Sequence, residues 1–213
     1  MGPSVTIVDY GIGNLRSIEK AFEAVGARVT RTDDPADVLA AERVVLPGVG
    51  AFGACVAEIR RRGLVDAVRG FVATGRPFMG VCVGMQLLFE YSTEMGHHRG
   101  LGLLPGRVVR FEPETLVNGR IERLKIPHMG WNEVSLDLDN PLLSGLEDRA
   151  FFYFVHSFHA VASRPEDVAG LSKYGASFPA IVSRGNIHGV QFHPEKSHRN
   201  GLHVLANFSN LRA

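Results

Sequence analysis

The chain has 213 residues, of which 45% are hydrophobic, and its 23 lysines and arginines nearly balance its 22 aspartates and glutamates. This length and apolar content are enough for one sizeable core, so we expect residues 1–213 to form a single domain. The balanced charge argues against nucleic acid or an anionic membrane as the main partner. Two cysteines cannot build a disulfide framework, and no apolar run approaches the roughly 20 residues that cross a bilayer. We therefore expect a cytoplasmic protein.

The first half of the chain alternates short, apolar strand patterns with helical patterns. In the first helical pattern the apolar residues fall on one face, and Gly26 ends it. Alternation of strand and helix predicts a parallel sheet with helices on both faces. The predicted strands are 5–8, 27–30, 43–46 and 77–81, and the predicted helices are 15–25, 35–39, 54–61 and 64–74.

The second half, after about residue 91, has strand patterns without long helices between them. Residues 94–105 are rich in glycine and histidine and are predicted to form a surface loop, and 184–186 predict the turn of a hairpin. We therefore predict an α/β fold whose mixed sheet is parallel in its N-terminal half and rich in antiparallel strands in its C-terminal half. The predicted strands are 107–111, 132–136, 151–155, 158–162, 179–183 and 187–192, followed by a helix at 202–208.

Residues 80–84, Gly-Val-Cys-Val-Gly, join the strand at 77–81 to a helical pattern. Glycines two residues before and after a nucleophile let the backbone turn sharply and tip the side chain out above the sheet. We expect the Cys82 thiol to be exposed and to be activated by the positive end of the helix that follows. The alternative interpretation is that Cys82 is a small packed residue and the glycines are ordinary turn residues.

A cysteine nucleophile needs a base and a group that orients the base, and residues 190–195 offer both. His193 ends a predicted strand, and Pro194 keeps it extended. Residues two apart in an extended segment lean to the same side, so Glu195 can lie beside His193. His193 would then move the proton of Cys82 while Glu195 holds the imidazole. The alternative is a surface turn with a solvated histidine and glutamate.

A glycine-rich loop, residues 46–53, follows the third predicted strand. Ligands of parallel sheets bind at the carboxyl ends of the strands, so this loop should share an edge with the nucleophile turn. Rotation at Gly48 and Gly50 would let Val49 and Gly50 present an N–H to an oxyanion. The N–H of Val83 would be the second donor. The loop also matches the dinucleotide-binding fingerprint by letter, but it follows the third strand and no acidic residue ends the next one, which disfavours that interpretation.

The remaining reactive residue types do not indicate a metal or a cofactor. Four histidines recur every five residues, a spacing that matches neither helical ligand pairs nor a zinc finger. Cys55 lies in a predicted helix and is interpreted as a packed residue, and the aromatic run 151–154 is interpreted as core packing. The four regularly spaced histidines are His188, His193, His198 and His203.

Two stretches, 80–86 and 191–195, resemble the class I (triad) glutamine amidotransferases, which implies their flavodoxin-like fold. Four further stretches are similar to the glutaminase subunits of imidazole glycerol phosphate synthase, from histidine biosynthesis. Val83 departs slightly, because many members carry leucine there, but its backbone donor is retained. The four stretches are 9–17, 46–52, 127–132 and 153–157.

The resemblance implies hydrolysis of L-glutamine to glutamate and ammonia, with no cofactor. Cys82 would attack the side-chain amide, His193 would protonate the departing ammonia, and water would release a γ-glutamyl thioester. By analogy with matching family positions, Gly50, Gln86 and Ser157 would hold the glutamine.

The resemblance also implies a partner, a separate (β/α)₈ cyclase subunit that uses the ammonia in a heterodimer. Trp131, Tyr153 and Lys196 match family positions near the subunit contact. The segment 48–50 resembles a strand that must flip to complete the oxyanion hole. We therefore expect low glutaminase activity alone and stimulation by the partner with its bound ligand.

Two other functions stay open at this point. The chain could be the glutaminase subunit of another class I amidotransferase, serving a different synthase. It could also be a non-catalytic α/β module that senses oxidants through Cys82, although this would leave His193 and Glu195 without a role.

Overall fold

The computed structural model describes residues 2–117 and 120–212. Strands alternate with helices up to β4, with two consecutive helices between β3 and β4, and strands dominate afterwards. The helices are α1 Leu15–Ala24, α2 Pro35–Ala40, α3 Phe52–Arg61, α4 Leu64–Ala73, α5 Val83–Gln86 and α6 His198–Asn210. The strands are β1 Ser4–Val8, β2 Arg28–Thr32, β3 Val44–Gly48, β4 Phe78–Cys82, β5 Tyr91–Ser92, β6 His98–Arg99, β7 Gly106–Arg110, β8 Glu114–Val117, β9 Arg120–Arg123, β10 His128–Leu136, β11 Arg149–His156, β12 Phe158–Ala162, β13 Val168–Tyr174, β14 Ala176–Arg184 and β15 Ile187–Val190.

A nine-stranded mixed sheet forms the centre of the fold, in the order β11-β10-β13-β14-β15-β4-β3-β1-β2. The strands β1 to β4 pair in parallel, and β10, β11, β13, β14 and β15 pair antiparallel. The two halves join where β15 runs parallel to β4. This arrangement confirms the predicted α/β class with its parallel first half and antiparallel second half.

The helices of the first half cover the sheet through apolar faces. In α1 the buried residues Ile18 and Phe22 are four apart and therefore share one side of the helix. The Phe22 ring meets the ring of Phe208 in α6 edge-on, with ring centroids 6.1 Å apart. In α4 the buried residues Val68 and Phe71 play the same part. Of the helices in the described ranges, none is long and apolar enough to cross a bilayer.

The segment 94–105 was predicted as a surface loop, and this prediction was only partly right. It contains the short strand β6, which belongs to a second sheet in the order β12-β7-β5-β6. Leu101 and Leu104 are buried. Their N–H groups donate to the carbonyls of Leu87 and Leu88, so the segment packs under the end of α5 rather than lying free.

The strand β13 is absent from the predicted elements. Its sequence alternates poorly, because Gly170 interrupts the apolar pattern and the pairing with β14 shifts register there. The strand β10 is also longer than predicted: it begins at His128 and includes Gly130 at φ +128°, a conformation that only glycine adopts readily.

Candidate active site

The nucleophile turn lies where β4 ends at Cys82 and α5 begins at Val83. Cys82 has φ 55° and ψ −114°, a strained conformation for a residue other than glycine. The flanking glycines make the turn possible, because a β-carbon on Gly80 would lie 2.6 Å from the carbonyl carbon of Gly84. Strain of this kind persists only where the surrounding structure fixes it, and it concentrates at functional sites.

Two expectations about this turn were wrong. The Cys82 residue is only 3% exposed, whereas we expected an exposed thiol. The following helix has four residues, because the carbonyls of Leu87, Leu88 and Phe89 accept hydrogen bonds from the segment 101–104 instead of continuing the helix. A single turn aligns few peptide dipoles, so it contributes little of the thiol activation that a full helix would provide.

Cys82 opens into a cavity of about 390 Å³. The cavity contains the proposed nucleophile and base together with most of the other residues singled out in the sequence. Of those, Glu195, Trp131 and Tyr153 do not line it. A larger apolar cavity of about 550 Å³, beside β8 and β9, contains none of them. The residues lining the site cavity are Val49, Gly50, Cys82, Val83, Gln86, Glu94, Pro127, Val155, His156, Ser157, Phe158, His193 and Lys196.

His193 and Glu195 lie together as predicted, but the expected extended segment was wrong beyond His193, because Pro194–Lys196 form a 3₁₀ helix. The Nδ1 of His193 is 3.0 Å from Oε1 of Glu195, and both side chains are more than nine-tenths buried. Burial lowers the pKa of His193, but hydrogen bonds with Cys82 and Glu195 outweigh it and raise the pKa to about 10. With Nδ1–H donating to the carboxylate, Nε2 is the nitrogen available to exchange a proton with Cys82.

Ser197 fixes the backbone of the histidine, and the sequence analysis did not identify it. Its Oγ donates to the His193 carbonyl at 2.7 Å and accepts from the Tyr153 N–H at 3.0 Å. The His193 N–H donates in turn to the Tyr153 carbonyl at 2.9 Å. The segment that follows β15 and the strand β11 are thereby tied together beside the site. The signal in the sequence was weak, since a serine four residues after a histidine is common.

A glutamine pair lies behind the nucleophile. The Gln86 amide nitrogen donates to the Phe158 carbonyl at 2.9 Å and to Oε1 of Gln191 at 3.0 Å. The Gln191 amide nitrogen is 3.9 Å from Sγ of Cys82. Both glutamines are buried, and a buried amide with satisfied hydrogen bonds is held in one orientation. Sequence reasoning did not assign a role to Gln191, although a polar residue between apolar Val190 and Phe192 was a usable signal.

The glycine-rich loop lies against the same cavity through Val49 and Gly50. The Tyr10 hydroxyl donates to the Pro47 carbonyl at 2.7 Å, and the Cys55 thiol lies 3.4 Å from the Val49 carbonyl. Burial raises the pKa of the Cys55 thiol, so it is held as a hydrogen-bond donor and is less reactive. Two side chains thus hold the carbonyls of the loop that was predicted to complete the oxyanion hole.

The three residues predicted at a partner contact lie close together at the edge of the site. Trp131 in β10 is 45% exposed, stands opposite Tyr153 in β11, and stacks on the His198 ring at 5.0 Å. The Lys196 ammonium lies 5.8 Å from the centre of the Tyr153 ring, and Lys196 also lines the cavity. Within the described ranges, no group of His, Cys, Asp or Glu side chains is arranged to hold a metal ion.

Comparisons with known proteins identify the family of this chain. Residues 6–210 match the family described as glutamine amidotransferase class-I. The chain is 56% identical over 206 residues to imidazole glycerol phosphate synthase subunit HisH of Salinibacter ruber, covering 97% of this chain and 94% of that one. It is 47% identical over 207 residues to the HisH subunit of Syntrophotalea carbinolica, covering 97% and 100%.

Solved structures show the same fold at low sequence identity. The structure of PurLQS from Thermotoga maritima matches with a TM-score of 0.76 at 21% identity, over 99% of each chain. A glutamine amidotransferase crystal structure matches with a TM-score of 0.70 at 21% identity, over 97% of this chain and 99% of that one. The fold, the family match and the identities to the subunits above together show that this chain belongs to the class I glutamine amidotransferases and, among them, to the HisH subunits of imidazole glycerol phosphate synthase.

Proposed function

We propose that residues 1–213 form one glutamine amidotransferase domain that hydrolyses L-glutamine to glutamate and ammonia. Cys82 is the nucleophile, His193 is the general base and acid, and Glu195 orients the imidazole. One observation carries the proposal: Cys82 and His193 line one cavity, and the imidazole of His193 is bound to a buried Glu195 carboxylate at 3.0 Å.

The reaction begins with the thiol proton of Cys82 on His193, so that the sulfur attacks as a thiolate: Sγ adds to the side-chain amide carbon of glutamine and forms a carbon–sulfur bond. The negative charge passes to the amide oxygen, where the N–H groups of Val83 and of Val49 or Gly50 stabilise it. His193 then gives its proton to the amide nitrogen, the carbon–nitrogen bond breaks, and ammonia leaves. A γ-glutamyl thioester remains on Cys82.

Water completes the cycle. His193, now neutral, takes a proton from a water molecule as its oxygen adds to the thioester carbonyl. The carbon–sulfur bond breaks, glutamate leaves, and the thiolate and the protonated histidine are restored. The raised pKa of His193 suits its role as general acid, because the imidazole holds its proton at neutral pH until it gives that proton to the leaving ammonia.

Gln86, Gly50 and Ser157 hold the substrate. Both hydrogens of the Gln86 amide nitrogen are used within the protein, on the Phe158 carbonyl and on Gln191. The amide oxygen is therefore the atom of Gln86 that is left to accept a hydrogen bond from a polar group of glutamine. All three residues line the cavity that contains Cys82.

The product requires a partner. In water at neutral pH, ammonia becomes ammonium, which has no lone pair to attack with, so it must be passed on without release. We propose a (β/α)₈ cyclase subunit as partner in a heterodimer, with Trp131, Tyr153 and Lys196 at the contact. The cyclase would use the ammonia to form imidazole glycerol phosphate and an aminoimidazole carboxamide ribotide. The two free thiols suit a reducing compartment, which supports the cytoplasm as the location.

The isolated chain should have low glutaminase activity. Completing the oxyanion hole requires the loop containing Val49 to rotate, and in the structure the Tyr10 hydroxyl and the Cys55 thiol restrain its carbonyls. Binding of the cyclase with its ligand supplies the free energy for that rotation.

The test is glutamate release with and without the cyclase subunit and its nucleotide ligand. Cys82→Ala should lower the stimulated rate by at least about 10³-fold. A diazo-ketone glutamine analogue should label Cys82 of the wild-type chain and leave the buried Cys55 unlabelled, which serves as the internal control. Failure to label Cys82 in the folded chain would favour the oxidant-sensing alternative. Glutamate release without imidazole glycerol phosphate formation would favour a different synthase.

A further inference from the structure

Two buried histidines beside the cavity take no part in the reaction steps above. His128 and His156 stand directly opposite each other on β10 and β11, and each is less than a tenth exposed. Nδ1 of His128 lies 2.9 Å from Nε2 of His156. One of these two nitrogens must donate a hydrogen and the other must accept it, so the pair has a direction.

The direction is set at one end by the Phe158 carbonyl. Nδ1 of His156 is 2.9 Å from that oxygen, and since a carbonyl only accepts, this Nδ1 carries a hydrogen. A neutral His156 then has a bare Nε2. Nδ1 of His128 must therefore be the donor to His156, and Nε2 of His128 must be bare as well.

The other end leads independently to the same assignment. Asn132 accepts the Glu133 N–H through Oδ1 at 2.9 Å and donates through Nδ2 to the Lys173 carbonyl at 2.9 Å, which fixes the orientation of its amide. The same Nδ2 lies 3.2 Å from Nε2 of His128. An amide nitrogen only donates, so this Nε2 is the bare one. Both ends of the series thus require both rings to carry their hydrogen on Nδ1.

The surroundings favour neutral rings. His128 is stacked between the rings of Phe154 and Tyr174, at centroid distances of 4.9 and 4.2 Å. Phe111 lies against His156 at 5.1 Å. Burial lowers the pKa of His128 to about 4 and that of His156 to about 3. A proton added to Nε2 of His156 would face the Nδ1–H of His128, and a proton added to Nε2 of His128 would face the amide N–H of Asn132.

The series ends at the substrate residues. The Phe158 carbonyl that accepts from His156 also accepts from the Gln86 amide, so its two lone pairs are both used. Ser157 lies between His156 and Phe158 in the sequence, and all three residues line the cavity. The carbonyl therefore connects the histidines to the side chain that meets glutamine.

We propose that Asn132, His128 and His156, here called the histidine chain, are positioning residues that hold the Phe158 carbonyl, and through it the Gln86 side chain, for glutamine. This inference rests on the glutaminase function proposed above. It assigns both imidazoles to the neutral form with the hydrogen on Nδ1.

Kinetics of the complex with the cyclase subunit test the positioning role. His128→Leu removes the donor to His156 and should raise KM for glutamine about tenfold, with a smaller change in kcat. His128→Asn places an amide nitrogen where Nδ1 was and should recover most of the wild-type KM. Equal KM values for the Leu and Asn variants, with both still folded and labelled at Cys82, would overturn the positioning role.

Nitrogen NMR of the full chain labelled with ¹⁵N-histidine tests the tautomers. Spectra of His128→Asn and His156→Asn assign the two rings. At neutral pH, both should show a protonated Nδ1 and a bare Nε2. A ring protonated on Nε2, or on both nitrogens, would overturn the assignment. This measurement needs no turnover. Absence of glutaminase activity in the wild-type complex would refute the proposed function, whereas the spectrum would still show whether both imidazoles carry their hydrogen on Nδ1.

Discussion

Gly84 packs directly against the backbone of Leu46, so that a β-carbon on Gly84 would overlap the Leu46 carbonyl oxygen. A β-carbon on Gly48 would likewise lie 2.8 Å from the Gly84 nitrogen. Two close backbone contacts, Gly84 with Leu46 and Gly84 with Gly48, therefore join the nucleophile turn to the glycine-rich loop. Backbone atoms cannot move aside as the end of a flexible side chain can, so this contact fixes the position of Cys82 relative to the loop.

Gly84→Ala should destabilise the protein and lower its glutaminase activity. The added methyl group must push α5 away from β3, which costs about 1–3 kcal/mol or more of unfolding free energy. Urea unfolding and glutamate release measure the two effects. Gly70→Ala is the control: Gly70 lies inside α4, and the nearest atom to its added β-carbon is the end of the Leu39 side chain, which is 43% exposed.

The control should be neutral or stabilising by up to about 1 kcal/mol, because alanine favours a helix over glycine. If Gly84→Ala were as stable and active as Gly70→Ala, the contact between the turn and the loop would not constrain the site.

Glu195→Gln should lower kcat by about 10²-fold with little change in KM, since it removes the charge that holds the protonated imidazole. The Glu195 carboxylate accepts from Nδ1 of His193, and burial makes the interaction strong. Steady-state kinetics of the complex measure it. Glu166→Gln changes an exposed carboxylate paired with Arg164 and should leave kcat unchanged. A wild-type kcat for Glu195→Gln would show that the charge of Glu195 is not needed to hold His193 for catalysis.

The local sequence pattern was enough to predict the fold class and the resemblance of the catalytic motif to the class I glutamine amidotransferases. Residues 80–84 form a strand, a turn and a helix start within five positions. His193 and Glu195 also lie only two positions apart, although only His193 is extended and Glu195 lies in a 3₁₀ helix, Pro194–Lys196. Such short-range geometry depends on the backbone alone. The parallel order of the first strands followed from their alternation with helices.

What pattern could not predict depends on distant packing. The helix after Cys82 stops after one turn because residues 101–104 supply its hydrogen-bond partners. The thiol is buried because the walls of the cavity come from β11, from the start of β12 and from the segments that follow β3 and β15, as well as from its own turn. Ser197 and Gln191 each contact a residue more than 40 positions away, Tyr153 and Cys82 respectively, and such contacts leave no mark in the local sequence.

Ser197→Ala should lower the unfolding free energy by about 1–3 kcal/mol, because it leaves the partly buried Tyr153 N–H without its acceptor. It should also lower kcat, since the His193 carbonyl loses its restraint. Ser209→Ala is the matched control: Ser209 is equally buried and donates only to Leu205 one helical turn earlier. Equal losses of unfolding free energy and of kcat in the two variants would show that the contacts of Ser197 with Tyr153 and His193 contribute no more than an ordinary buried serine hydrogen bond.

Trp131→Ala should weaken binding of the cyclase subunit by about tenfold or more, because exposed aromatic side chains at the centre of a contact carry much of its binding energy. Titration of the cyclase against stimulated glutaminase activity measures the shift in half-saturation. Leu138→Ala is the control, since Leu138 is also 45% exposed but lies beyond the other end of β10. If both variants shift the half-saturation equally, or neither does, Trp131 is not at the contact.

Acid should destabilise the protein through buried neutral histidines, of which His188 is the clearest. Burial lowers the pKa of His188 from 6.5 to about 4. As the pH falls through 6.5 the unfolded chain takes up a proton that the folded chain refuses, so stability is complete above that pH and is lost on the way down to about 4. The slope for one such group reaches about 1.4 kcal/mol per pH unit.

His188→Asn isolates this contribution, because the asparagine amide can take the place of Nδ1, which lies 2.9 Å from Oγ of Ser183, and does not titrate. Urea unfolding of both proteins across this pH range measures the difference. The variant should lose less unfolding free energy than the wild type between pH 6.5 and about 4, although its stability at neutral pH is lower. Parallel curves would mean that His188 takes up its proton as readily in the folded chain as in the unfolded one, and the acid sensitivity would then have to come from other groups.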